Sequence, residues 1–314
     1  MVNMIINKKI FTKKNKYHKR KTFRKMNCSP MVKGKTAVTD SCFPPEVLVL
    51  IKSSYNKYHP NEKILSTNVQ EIWNELKEKL SKCSKEDCWL NNIEDANLRK
   101  KINLKSFAPK KPEEWKKNPT EWLSNFDIIE VLRQYEETYP NFHVIGPTPI
   151  DFDSRPTDTN GTCVWEELCN FNLQKYINTG KTKLGIVFNL DKHNKSGSHW
   201  VSMFIDLDDR YAFYMDSAGN KIPKEIDILL KRIIQQGLAM KPKIRIHFYE
   251  NCPLEHQMGT TECGMYSLYF IITMLTGKAD GIVFKNYFDK IRYFKNKRIP
   301  DKNMIRYRNL FFND

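Results

Sequence analysis

Apolar residues in the first third of the chain recur at helical spacing. Over 68–82, "NVQEIWNELKEKLSK", residues Ile72, Trp73, Leu76 and Leu80 share one face, the i, i+3, i+4 arrangement of an amphipathic helix. The pattern predicts a largely helical region from Pro45 to about Leu104. The polar stretch "SFAPKKPEEWKKNPTE" then reads as a linker, because its prolines and charges break any periodicity. A helix is expected over about 124–138, a proline-rich turn region over 140–156, and a short helix over 164–177.

Four later runs have the β-branched and aromatic content of strands: "KLGIVFNL", "HWVSMFIDL", "YAFYMDS" and "KIRIHFY". In the second, Val201, Met203, Ile205 and Leu207 alternate onto one face, as burial with a period of two requires. The segment "IPKEIDILLKRIIQQGLAM" is helical and separates the third run from the fourth. Further on, Met265, Leu268, Tyr269, Ile272 and Leu275 mark a core helix, with Thr260 or Thr261 as its N-cap and Gly277 as its stop. A basic, aromatic C-terminal helix or pair of helices follows. This order predicts an α+β fold, with a central mixed, mainly antiparallel sheet flanked by helices and preceded by a helical N-terminal region. The expected division is a basic, disordered arm at 1–38, a helical region with linker at 39–115, and a core at 116–314.

The chemistry begins at a hairpin. Only Asp208, Asp209 and Arg210 separate the second run from the third, so the two should pair antiparallel. His199, at the start of one strand, then lies opposite residues 216–218 at the end of the other. An imidazole and the carboxylate of Asp216 are thereby brought together, and such a carboxylate fixes a tautomer and stabilises an imidazolium. Taken singly, His199 is more often a surface histidine and Asp216 a turn residue. Cys263, by itself, is more often structural than catalytic. It stands, however, where the core helix starts, and free N–H groups and the positive dipole end there favour a thiolate. A nearby histidine would complete a nucleophilic pair. Gln257, on the loop before it, could donate to the oxyanion that forms. The joint pattern of His199, Asp216, Gln257 and Cys263 is much less expected by chance than any one of them.

Charge adds a second theme. The net charge is +16, yet it belongs to the two ends. Residues 1–36 hold twelve Lys or Arg and no acid, and residues 285–314 hold nine against three acids. The middle is nearly neutral. Basic ends could hold nucleic acid through its phosphates. No apolar segment is long enough for a secretory signal or a membrane span, which reads as a soluble chain with no membrane partner. The eight cysteines are irregularly spread, so a reducing compartment is expected rather than a disulfide framework. Cys83 and Cys88 have no histidine nearby and support a zinc site only weakly. No metal or cofactor is expected.

The motifs "HW" (His199, Trp200), "MDS" (Asp216), "HQ" (Gln257) and "ECG" (Glu262, Cys263, Gly264) resemble those of the ubiquitin-like-protein-specific, SUMO-protease-like cysteine proteases and their adenoviral relatives. "WLSNFDII", from Trp122 to Ile129, is similar to the motif that opens that family's catalytic domain. "CSKEDC", "PTPIDFDS", "GSHWVSMFIDLD", "TTECGMYSLYFI" and "MIRYRNLFF" resemble more narrowly the polyprotein-processing proteases of large DNA viruses, such as that of African swine fever virus. This likeness spans about residue 70 to the C-terminus. It implies a papain-like core and a cysteine endopeptidase cutting after Gly-Gly in viral structural polyproteins during virion maturation. His199, Asp216 and Cys263 would be its triad and Gln257 its oxyanion donor. Trp122 and Trp200 would flank a substrate tunnel that admits only glycine. The polypeptide would carry a Gly-Gly motif, and the enzyme would reside in the virion and host cytoplasm. In the swine-fever enzyme an Asn stands in place of Asp216, so this triad is closer to the cellular type. Three other readings stay open: removal of ubiquitin-like modifiers, acetyl transfer by a similar Cys-His-acid set, and nucleic-acid binding without catalysis.

Overall fold

The computed structural model describes residues 22–31, 38–157 and 161–314. The expected arm falls largely outside them, but its described part is packed rather than free. Phe23 meets Trp73 edge-on and lies tilted against Trp89, and Met26 is buried in the same core. The helical region comprises α1 (Pro45–Tyr58), α2 (Val69–Lys79) and α3 (Ala96–Ser106), with a 3-10 turn at Glu86–Asn92. Asn68 and Asp95 cap α2 and α3 by accepting from backbone N–H groups in the first turn, which satisfies donors the helix cannot. Ile72, Trp73 and Leu76 are buried as their spacing predicts, in a core that also holds Phe43, Ile51 and Trp89.

The expected linker is an ordered strap. Phe107 enters that first core and Trp115 a second one, which contains Leu123, Phe142 and Phe270. The strap leads to α4 (Asn125–Thr138), whose start is closed by a capping box between Ser124 and Asp127. Next comes β1 (Phe142–Pro149), in the stretch expected to be turns. The prolines that hid it are tolerated because β1 is an edge strand. Two short helices, α5 (Glu166–Cys169) and α6 (Leu173–Asn178), stand where one was expected.

The sheet continues with β2 (Lys183–Asn189), β3 (Trp200–Asp206), β4 (Tyr211–Met215) and, after α7 (Lys224–Ala239), β5 (His247–Glu250). Its order is β1-β2-β3-β4-β5, antiparallel at the two central pairings and parallel at each edge. Both faces are covered. Val201, Met203, Ile205 and Leu207 face the side on which α7 packs, while Trp200 and Phe204 face α8 (Cys263–Thr276). The alternation in the sequence therefore marked two cores rather than a core and a wet face. Helix α8 is buried on all sides from Cys263 to Leu275 and ends at Gly277, whose φ of 67° is the left-handed cap conformation. A small ribbon, β6 (Lys278–Ala279) and β7 (Ile282–Val283), leads to α9 (Tyr287–Asn296) and α10 (Asp301–Phe311).

The cysteines depart from expectation. Cys28–Cys42, Cys83–Cys88 and Cys163–Cys169 form disulfides, and only Cys252 and Cys263 are free. The pairs close over 14, 5 and 6 residues, so each forms locally, which irregular spacing along the chain did not reveal. Among the described residues, no helix is long and apolar enough to cross a membrane, and no cluster of His, Cys, Asp and Glu is arranged to hold a metal.

Candidate active site

The β3–β4 hairpin sets the first two residues. Its register pairs Ser202 with Met215, and three residues further on places His199 opposite Ala218. Asp216 reaches back across this end, and its Oδ1 lies 2.7 Å from His199 Nε2. Nε2 is the ring nitrogen that meets the carboxylate, and Cys263 is near enough to His199 to raise the pKa of the ring. Burial of the ring pushes its pKa down, but the hydrogen bond to Asp216, the neighbouring Cys263 and the charge of both outweigh that and raise it to about 9. An imidazolium is thus the favoured form at neutral pH.

Asp216 is fully buried and firmly held. Ala218 N–H donates to its Oδ1 at 2.8 Å and Asn220 Nδ2 to its Oδ2 at 3.1 Å. The side chain of Asn251 clamps the Asp216 backbone from both sides, accepting from its N–H at 2.9 Å and donating to its carbonyl at 2.7 Å. Neither asparagine stood out in the sequence, since each needs the fold to bring it to Asp216.

Cys263 is the first residue of α8 and is buried. The N-cap is Glu262 rather than either threonine, and it makes no side-chain cap. Its carboxylate instead accepts from Arg308, so the first-turn N–H groups have no side-chain acceptor. Gly264 packs so closely that a Cβ there would sit 3.0 Å from Leu123 Cβ and 3.3 Å from Trp200 Cδ1. Trp200 Nε1 donates to Leu123 O at 3.0 Å. The helix turn that opens with Cys263 is therefore pressed against the two segments that carry Trp122 and Trp200.

Those two tryptophans line one groove of about 610 Å³, together with Leu123, Pro147, Pro149 and Trp165. Gln257 is buried on the loop before α8, its Nε2 donating to Gly259 O at 2.8 Å and its Oε1 accepting from Ser217. The structure joins His199 to Asp216 and sets Cys263 near that ring, ties Gln257 to Ser217, the residue after Asp216, and places Trp122 and Trp200 in a groove whose lining includes none of the other four. Arg308 could have been found as well: Met304, Arg308 and Phe311 are the buried residues of α10, at i, i+4 and i+7, which sets one arginine on an apolar face.

Known proteins resemble this chain in sequence and in fold. The Ulp1 protease family, C-terminal catalytic domain, matches residues 169–309. A protein of Acanthamoeba polyphaga mimivirus designated a thiol protease is 28% identical over 286 residues, covering 82% of this chain and 90% of that protein. A cysteine protease of African swine fever virus is 29% identical over 224 residues, 69% of this chain and 75% of that one. The crystal structure of the swine-fever protease superposes with a TM-score of 0.61 at 22% identity, covering 93% of this chain and 97% of that one, a likeness of fold.

Proposed function

We propose that this chain, which is a cysteine protease with an Ulp1-like catalytic domain, cuts polypeptides after a Gly-Gly pair, using Cys263 as nucleophile, His199 and Asp216 as its partners, and Gln257 as oxyanion donor. The observation that carries this reading is the convergence of a buried carboxylate, a raised-pKa imidazole and a thiol at a helix N-terminus. The Cys263 thiolate adds to the scissile carbonyl, and the oxyanion is held by Gln257 Nε2–H and the N–H groups opening α8. Imidazolium His199 then gives its proton to the leaving amine, and a thioester remains on Cys263. Water, deprotonated by the now neutral His199, attacks the thioester and frees the enzyme. Asp216 keeps the ring oriented and stabilises its charged form throughout.

The groove supports a selectivity for glycine. Two indoles flanking an extended chain leave space for backbone but little for side chains, and Trp200 is fixed there by its hydrogen bond to Leu123. The substrate we favour is a viral structural polyprotein, with cleavage in the virion and host cytoplasm; removal of ubiquitin-like modifiers requires the same catalytic groups. A second surface supports a nucleic-acid partner. Arg292, Lys295, Lys297, Arg298 and Lys302 are exposed on and between α9 and α10, and none of them is in an ion pair among the described residues. Such a patch fits phosphate contacts.

The test compares wild-type protein with Cys263→Ala on two substrates: Gly-Gly-X peptides, and ubiquitin or SUMO bearing a C-terminal reporter. Cleavage of the peptides after the second glycine by wild type alone is expected. Cleavage by Cys263→Ala would remove Cys263 as nucleophile, and cleavage of the modifiers alone would replace the polyprotein reading with deconjugation.

A further inference from the structure

We infer that Ser217 is a positioning residue for the oxyanion site, its hydroxyl fixing which end of the Gln257 amide faces the reacting carbonyl. This rests on the reading of Gln257 as oxyanion donor.

Ser217 follows Asp216 directly and is buried. Its Oγ donates to Gln257 Oε1 at 2.8 Å, and its carbonyl accepts from the N–H groups of His256 and Gln257 at 2.8 and 2.9 Å. On the other side of the amide, Gln257 Nε2 donates to Gly259 O at 2.8 Å. A primary amide has two N–H donors on one end and an acceptor oxygen on the other. The Gly259 carbonyl can only accept, so it demands the nitrogen. A hydroxyl facing the opposite end completes the pattern by donating to the oxygen. Turning the amide over would set Oε1 against the Gly259 carbonyl, two acceptors face to face. One Nε2–H is spent on Gly259, and the second remains for an oxyanion.

Neighbouring residues thus serve the two halves of the machinery. The Asp216 side chain holds His199, and the Ser217 side chain holds Gln257. Removing the hydroxyl leaves Asp216 with Ala218, Asn220 and Asn251, but strips Gln257 Oε1 of its buried donor, and the amide gains orientations that point no N–H at the substrate.

The experiment uses full-length Ser217→Ala, Gln257→Ala and the double variant. It measures kcat and KM on a Gly-Gly-X peptide and, by mass spectrometry, the rate of iodoacetamide alkylation at Cys263. Alkylation needs the thiolate, which an imidazolium beside it stabilises, and displaces iodide without forming an oxyanion, so it reports on the thiol and its histidine apart from the oxyanion site. Ser217→Ala is expected to lower kcat about tenfold to a hundredfold, somewhat less than the usual loss of a whole oxyanion donor. KM and alkylation should stay unchanged, and the double variant should be no slower than Gln257→Ala. Wild-type kcat in Ser217→Ala beside a slow Gln257→Ala would overturn the inference, as would additive effects or a parallel fall in alkylation. A fully active Gln257→Ala would instead overturn the reading of Gln257 itself.

Discussion

Arg308 Nε donates to the carboxylate of Glu262, the residue directly before Cys263, at 2.9 Å, and both side chains are almost wholly buried. The same guanidinium donates to Glu121 O at 2.7 Å and to Thr120 O and Thr261 O at 3.3 Å, and lies 4.4 Å above the ring of Trp115. One residue of the last helix therefore ties the loop carrying Cys263 to the segment that runs into Trp122.

Breaking this pair should be costly. Arg308→Met leaves a buried carboxylate without its partner, a loss of about 3–5 kcal/mol. Arg308→Lys should recover little of it, because an ammonium cannot reproduce a fork that donates in several directions at once. Urea denaturation of the two variants measures this. A loss below about 1 kcal/mol, the range of exposed pairs, would mean that Glu262 finds water or another donor.

The raised pKa of His199 has a definite sign in activity. The imidazolium must be present to protonate the leaving amine, so kcat/KM should fall as pH rises through about 9. Because the Asp216 hydrogen bond is a main cause of the rise, Asp216→Asn should move that limb to lower pH. The same shift favours the fold below the unfolded pKa near 6.5, and this contribution is lost as pH rises towards 9. A pH–rate profile with an unmoved alkaline limb in Asp216→Asn would assign the limb to another group.

Much of this site was legible because local rules determine it. A three-residue turn between two strand-like runs dictates that His199 meets Asp216, and helical spacing after Gly264 places Cys263 at a helix start. What escaped depends on partners distant in sequence. Residues 142–149 carry Gly146, Pro147 and Pro149, and become a strand only because β2 offers a parallel edge. Arg308 sits in a segment whose basic residues read as a nucleic-acid contact, though its spacing from Met304 and Phe311 carried the signal. Asn27 and Asn313 exchange hydrogen bonds at opposite ends of the chain, at 2.8 and 2.9 Å, a contact that no periodicity encodes.

His256 should make the protein sensitive to acid. It is fully buried, and burial pulls its pKa down to about 4. In the neutral form Nε2–H donates to Phe294 O at 3.0 Å and Nδ1 accepts from Ile299 N–H at 3.1 Å. Protonation of Nδ1 would set two donors against each other. Between about 6.5 and 4 the unfolded chain therefore binds a proton that the folded chain does not, and stability falls with pH at up to about 1.4 kcal/mol per unit from this group. Denaturation midpoints across that window should flatten in His256→Phe, at some loss of stability at neutral pH. An unchanged slope would assign the acid sensitivity to the carboxylates.

Thiol labelling separates the two free cysteines from the other six. Under non-reducing conditions, iodoacetamide should modify only Cys252 and Cys263, while peptide maps recover Cys28–Cys42, Cys83–Cys88 and Cys163–Cys169 as linked pairs. Cys28–Cys42 holds the first described segment onto the N-terminal core, beside Phe43 and Trp89, and closes a loop of a length for which the chain-entropy account gives about 3 kcal/mol. Cys28→Ser with Cys42→Ser should therefore destabilise the N-terminal core by roughly that amount. The buried thiol of Cys263 packs in a different core, with Leu123 and Trp200, so its alkylation rate should be nearly the same in the double variant. Equal labelling of all eight cysteines in the native protein would mean that the paired thiols stay reduced, and the N-terminal core would then owe its stability to burial alone.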